Sequence, residues 1–183
     1  MKIAVIFPGI GYHTDKPLLY YSRKIAARQG FEVKEVSYDG FEAGIRGNME
    51  KMKEAFLSAL SQSEELLENV DFSAYDTVLF ISKSVGTAVA AAYAVRHGLK
   101  TANVFYTPVE ESFQFMKNPG IVFHGTADPW IPHDRFLEKC SSTDYPYYLT
   151  EGGKHSLETG DVQKDLDNLK KIMEQTEKYI REL

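Results

Sequence analysis

Cysteine is nearly absent from this chain of 183 residues, where Cys140 stands alone. A single thiol can neither close an intramolecular disulfide nor build a cysteine-based zinc site, and it fits a reducing compartment, so a cytoplasmic protein is expected. Long apolar runs are missing too. No stretch approaches the roughly 20 residues of a membrane span, and Ile3-Ala4-Val5-Ile6-Phe7 ends at Pro8-Gly9 without the small-residue cleavage site of a signal peptide. Positive charge is not concentrated anywhere, and the formal net charge of −5 argues against a general nucleic-acid binder. Neither nucleic acid nor membrane is an expected partner. Internal repeats, linkers and low-complexity segments are also lacking. What remains is ordinary for a globular protein, 43% apolar and 26% charged residues, at a length that suits one core. A single domain over 1–183 is expected.

The stretch from Asp76 to Gly98 organises the rest. Thr77-Val78-Leu79-Phe80-Ile81 has strand composition, and Thr87 to Val95 is a small-residue helix closed by Gly98. Between them lies Ser82-Lys83-Ser84-Val85-Gly86, which places Ser84 at a strand-to-helix corner. Such a corner presents a hydroxyl at the carboxyl end of a sheet beside the free amides of a first helical turn. Two readings stand at this point, a nucleophile or a simple helix N-cap. Ser82, which precedes the corner, is the weaker nucleophile candidate.

In chain order, Ile3–Phe7 predicts a strand buried on both faces. The loop Pro8 to Asp15 follows. Gly9 and Gly11 start a dinucleotide fingerprint there, but Thr14 stands where its third glycine belongs. The same loop can offer a backbone N–H to an oxyanion, with Ile10 best placed. Pro17 opens a helix with Leu18, Leu19, Ile25 and Ala26 on one face, and Phe31–Val36 alternates like an edge strand. The loop from Tyr38 to Gly47, which holds Phe41 and Arg46, is expected to be mobile at a ligand-binding edge. Met49, Met52, Phe56, Leu60 and Leu67 mark a long amphipathic helix. Further strands are expected at Thr101–Tyr106, Gly120–Phe123 and Tyr145–Thr150, and a helix from His133 to Lys139. A last helix carries Val162, Leu166, Leu169, Met173 and Ile180 on one face. Alternating strands and helices predict an α/β fold, a three-layer α/β/α sandwich around a mostly parallel six-stranded sheet.

A serine hydroxyl needs a base to take its proton and a third group to orient that base. Ser84, Asp128 and His155 each follow a predicted strand, so all three fall at the carboxyl edge of the sheet. Asp39 and Asp144 are rival acids. His97, His124 and His133 read as structural histidines, and Cys140 is remote from the corner. No histidine or carboxylate pairing of metal-binding spacing is present, so neither a metal nor another cofactor is expected.

Three motifs in order resemble the α/β-hydrolase superfamily, in particular its small, lidless, dienelactone-hydrolase-like and esterase-like members. Ser82-Lys83-Ser84-Val85-Gly86 is similar to the family's G-x-S-x-G elbow, with serine in place of the first glycine. His124-Gly125-Thr126-Ala127-Asp128-Pro129-Trp130-Ile131-Pro132 is similar to its H-G-x-x-D-x-x-[VI]-P acid loop, and Gly153-Lys154-His155-Ser156 to its G-x-H-S histidine loop. The resemblance implies Ser84 as nucleophile, His155 as general base and then acid, and Asp128 as its orienting carboxylate. It also implies the amides of Val85 and Ile10 as oxyanion hole, and a minimal fold without a lid. Tyr12, His13, Phe41, Phe113 and Trp130 are the candidate substrate contacts. The expected activity is hydrolysis of a carboxylic ester or thioester of a small acyl substrate. A non-catalytic ligand-binding module on the same fold and a flavodoxin-like nucleotide-binding protein are the alternatives.

Overall fold

The computed structural model describes residues 1–41, 44–45 and 48–183. Six strands, β1 (Lys2–Phe7), β2 (Phe31–Glu35), β3 (Thr77–Lys83), β4 (Ala102–Tyr106), β5 (Gly120–Gly125) and β6 (Tyr147–Thr150), form one sheet in the order β2-β1-β3-β4-β5-β6. Every neighbouring pair is parallel. The helices are α1 (Pro17–Arg28), α2 (Met49–Leu66), α3 (Val85–Arg96), α4 (His133–Ser141) and α5 (Val162–Arg181). Parallel neighbours need crossovers, and helices supply them except between β4 and β5, where a short 3₁₀ turn at Glu110–Gln114 suffices.

Alternation along the strands builds the layers. Ala4, Ile6, Leu79, Ile81, Val104 and Tyr106 face α1 and α5, meeting Leu18, Leu19, Ile172 and Ile180. Ile3, Val5, Phe7, Val78 and Phe80 face α2 and α3, meeting Ala59, Leu60, Ala88 and Val89. On that same side Phe105 and Val122 meet Phe136 and Cys140 of α4. Strands buried on both faces read as continuous apolar runs, which is why period-two alternation shows only at the edge strand β2. Two buried hydroxyls tie α1 and α5 to the sheet: Tyr106 Oη lies 2.8 Å from Ser22 Oγ and 2.6 Å from Thr176 Oγ1.

Several boundaries and faces differ from the expectation. β3 runs past Ile81 through Lys83, because Ser82 and Lys83 still pair with Phe105 and Tyr106. β6 starts at Tyr147 rather than Tyr145, since Pro146 has no N–H for the ladder. Of the expected stripe Leu60 and Leu67 are buried, Met52 and Phe56 half-buried and Met49 exposed; Ala55, Ala59 and Ser63 are buried beside them, small side chains that let α2 lie close to the alanine-rich α3. Val162 and Leu166 are exposed as well, and α5 buries Ile172, Thr176 and Ile180. The mobility expected over Tyr38 to Gly47 concerns a loop whose Glu42, Ala43, Arg46 and Gly47 lie outside the described residues. Among the described residues no helix is long and apolar enough to cross a membrane.

Candidate active site

Ser84 is the single residue between β3 and α3, with φ 55° and ψ −128°. A non-glycine residue in this region is strained, and it persists because its surroundings leave no alternative. The Ser84 amide donates to Tyr106 O at 3.0 Å, continuing the ladder one residue past the strand. The turn is tight enough that a Cβ on Gly86 would strike the carbonyls of Phe7 and Pro8, and one on Gly9 would come within 3.0 Å of Ser84 Cβ. The small-residue requirement at position 82 is looser. Ser82 is fully buried, and its hydroxyl donates to Val104 O at 3.3 Å, so serine fits where the family pattern has glycine and cannot meet a substrate.

His155 arrives from the other side. The acid turn after β5 and the histidine turn after β6 are laced together: Thr126 N donates to Thr150 O at 3.0 Å, Ala127 N to Gly153 O at 2.9 Å, and Gly152 N to Thr126 Oγ1 at 2.8 Å. Gly125 must be glycine, since a Cβ there would collide with Gly153 O. The lacing puts His155 Nδ1 2.8 Å from Asp128 Oδ2 and Nε2 2.7 Å from Ser84 Oγ. The Asp128 side chain is fully buried, and its other oxygen accepts from Trp130 N at 2.9 Å. A buried carboxylate acceptor keeps the proton on Nδ1, which leaves Nε2 free to accept from the serine hydroxyl. The Trp130 ring stacks on the imidazole, centroids 5.0 Å apart.

The rival groups lie elsewhere. Asp39 is exposed beyond the far edge strand, where its backbone bonds Gln62, and Asp144 is exposed ahead of β6, at the opposite end of the sheet. His97 stacks on Tyr93, and His124 is buried against Phe136 with the half-buried His133 stacked on its ring. Burial pushes His124 down to about 4, so it is neutral. Cys140 sits in the core, its thiol pushed up to about 12 by burial.

A cleft of about 310 Å³ opens over Ser84 and His155, with Ile10, Tyr12 and Trp130 among its walls. Ile10 stands at the corner of the turn Gly9–Tyr12, which is closed by paired backbone hydrogen bonds of 3.1 and 3.3 Å. Three of the expected substrate contacts are not among these walls. Phe113 is core, packed edge-on to Phe136; Phe41 packs against Tyr38; and His13 points to solvent beside Asp15. A larger cavity of about 480 Å³ lies at the opposite end of the sheet, by Pro119, Asp144, Tyr145 and Tyr179, away from Ser84, Asp128 and His155. Among the described residues no cluster of three or more His, Cys, Asp or Glu side chains is placed to hold a metal ion.

One cleft residue escapes the motif reading. Lys83 is 1% exposed, and its Nζ donates to Thr107 Oγ1 at 2.6 Å and to His155 O at 2.8 Å. The Tyr12 ring lies beneath it, 4.9 Å away. Burial pulls its pKa down from 10.5 to about 7, against the opposing pull of Asp128 and Glu158. The signal is there in strand alternation: Leu79 and Ile81 face the core, and Lys83 is next on that face.

No protein-family model matches the sequence, and neither does any curated protein. Solved structures do resemble the fold. An α/β serine hydrolase homologue from Coxiella burnetii aligns over 96% of this chain and 84% of its own, with TM-score 0.67 and 13% identity. Est1E from Butyrivibrio proteoclasticus with ferulic acid bound covers 100% of this chain and 89% of its own, with TM-score 0.68 and 12% identity. A lidless serine hydrolase from Xanthomonas campestris covers 94% and 79%, with TM-score 0.60 and 12% identity. At such identities the likeness is one of architecture, and the architecture of this chain is the α/β-hydrolase fold.

Proposed function

We propose that the protein is a serine hydrolase that cleaves a carboxylic ester or thioester of a small molecule through an acyl-enzyme on Ser84. The observation that carries this reading is the unbroken hydrogen-bonded line from Ser84 Oγ through His155 to the buried carboxylate of Asp128. In the proposed cycle His155 Nε2 takes the Ser84 proton as Oγ bonds to the acyl carbon. The carbonyl oxygen becomes an oxyanion, met by the amides of Val85, at the start of α3, and Ile10. His155 then gives its proton to the departing alcohol or thiol, leaving the acyl group on Ser84. Water then adds to the acyl carbon as it loses a proton to the same nitrogen, and His155 returns that proton to Oγ as the Oγ–acyl bond breaks, which releases the carboxylic acid and restores Ser84. Asp128 stays ionised and steadies the imidazolium. Each step uses side chains and backbone amides of this chain.

The neighbour that binds ferulic acid, a carboxylic acid of the kind an ester hydrolase releases, is in keeping with this chemistry. The one cysteine, buried and electrostatically silent, accords with a cytoplasmic setting. The test is turnover of p-nitrophenyl esters by the wild-type protein and by Ser84→Ala. Hydrolysis that disappears in a folded Ser84→Ala supports the reading. Hydrolysis that survives it, or none by the wild type across short acyl esters, removes the reading in favour of a binding module.

A further inference from the structure

A buried ammonium is costly to fold, so its placement beside the reactive groups asks for an explanation. Packing alone would be served by leucine or methionine at position 83, whose neighbours Leu79 and Ile81 on the same face are apolar. Instead the Lys83 side chain runs beneath the carboxyl edge of the sheet and ends on the backbone of the histidine turn, 2.8 Å from His155 O. Thr107 converges on the same atom, its Oγ1 2.9 Å from His155 O. Thr107 is itself fully buried and held at φ 42°, a left-handed conformation that a β-branched residue strongly resists. Its amide is pinned to Phe123 O at 2.8 Å, which fixes the hydroxyl relative to β4 and β5. Two unfavourable features, a desolvated amine and a strained threonine, thus meet at one carbonyl. That carbonyl belongs to the residue whose ring lies between Ser84 and Asp128.

We propose that Lys83 and Thr107 are positioning residues for the reaction, a brace on the His155 carbonyl that sets where the imidazole stands relative to Ser84. This rests on the serine-hydrolase reading above. The imidazole hangs from a turn, and its ring is held in plane by Asp128 and Trp130. Neither contact fixes the height of its backbone above the sheet. The lacing to the acid turn holds Gly152 and Gly153, and Lys83 Nζ adds a bond to His155 O itself; because Lys83 precedes Ser84 in the chain, nucleophile and base are referred to the same strand end. A displacement of about an ångström between reacting groups is enough to cost on the order of 100-fold in rate.

The test uses the 183-residue chain with Lys83→Met, Thr107→Val, the double variant and Thr107→Ser. Each of the first two should lower kcat on p-nitrophenyl acetate by roughly 10- to 100-fold with KM held within about twofold. The double variant should fall no further than the worse single one, because both side chains act on one carbonyl. Thr107→Ser keeps the hydroxyl and should keep most of the rate. A readout independent of turnover is the low-field proton resonance of His155 Nδ1–H, identified by its loss in His155→Gln, which should shift or broaden in Lys83→Met and Thr107→Val. An unmoved resonance in the folded variants overturns the proposal, and so does an unchanged kcat. If Lys83→Met does not fold, Thr107→Val decides on the same two readouts. If the wild type neither turns over esters nor takes up a fluorophosphonate, it is the hydrolase reading that has failed. The resonance then decides the brace by itself, which stands if either variant moves it and falls if neither does.

Discussion

Replacing Lys83 by methionine should change how stability depends on pH, and the size of that change follows from burial. The unfolded lysine titrates near 10.5, the folded one near 7. Between those values the unfolded chain binds about one more proton than the folded one, so the wild type gains stability as pH rises through the window, by about 1.4 kcal/mol per pH unit. Below the folded value the whole cost of holding the charge out of water is present. Over the full interval that cost is on the order of 5 kcal/mol. Methionine has a similar length and no charge, so the variant lacks this dependence. The stability difference, variant minus wild type, should therefore be most favourable to the variant at pH 7 and below. It should decline by about 3 kcal/mol between pH 7.5 and 9.5. The variant also loses the bonds to Thr107 Oγ1 and His155 O, but Thr107 Oγ1 still reaches that carbonyl. Such a loss of about 1–3 kcal/mol offsets the curve without tilting it. Guanidinium unfolding of both proteins at several pH values measures the tilt, and groups common to both cancel. A difference that stays level from pH 7.5 to 9.5 would refute the reasoning, since Lys83 would then not be releasing its proton in that range.

Asp128→Asn should leave substrate binding largely intact and lower turnover by about 10²–10⁴, because Nδ1 loses its ionised acceptor, while Asp39→Asn should be silent; steady-state kinetics of both variants check this. Tyr106→Phe removes the hydroxyl shared by Ser22 and Thr176, and should cost about 1–3 kcal/mol in denaturant unfolding with little effect on activity. The 13 residues from Thr107 to Pro119 hold only a 3₁₀ turn, so this interval supplies no wall for a long acyl chain, and each methylene left in water forgoes about 0.8 kcal/mol. Across p-nitrophenyl esters kcat/KM should peak at about two to six acyl carbons, and a steady rise to long chains would contradict this.

Much of the site is legible in the sequence because its geometry is local. Gly86 and Gly125 announce backbone crowding that only glycine tolerates, and Ser84, Asp128 and His155 each sit in a turn that follows a strand, so one parallel sheet carries all three to one edge. The illegible parts depend on contacts distant in the chain. That β3 continues to Lys83 is decided by its pairing with Tyr106, and the lysine is buried only because the histidine turn, more than 70 residues later, closes over it. Phe113 and Phe41 lie in loops, where an aromatic ring can equally cover core or line a cleft. Neighbouring side chains, Phe136 and Tyr38, settle that choice. Along α2 and α5 the largest apolar residues suggest the buried stripe, yet close packing adds Ala55, Ala59 and Ser63 of α2 to it and leaves Met49 of α2 and Val162 and Leu166 of α5 outside.

The central claim is that Ser84 is a nucleophile activated by His155, and covalent capture tests it most directly. The intact protein is treated with a fluorophosphonate, digested, and mapped by mass spectrometry, alongside His155→Ala and Ser84→Ala. The account predicts one phosphonyl adduct per chain on the peptide containing Ser84, located on Ser84 rather than Ser82 by fragmentation. It should form much more slowly in His155→Ala and be absent in Ser84→Ala. An adduct on another residue, or an equal rate in His155→Ala, would contradict it.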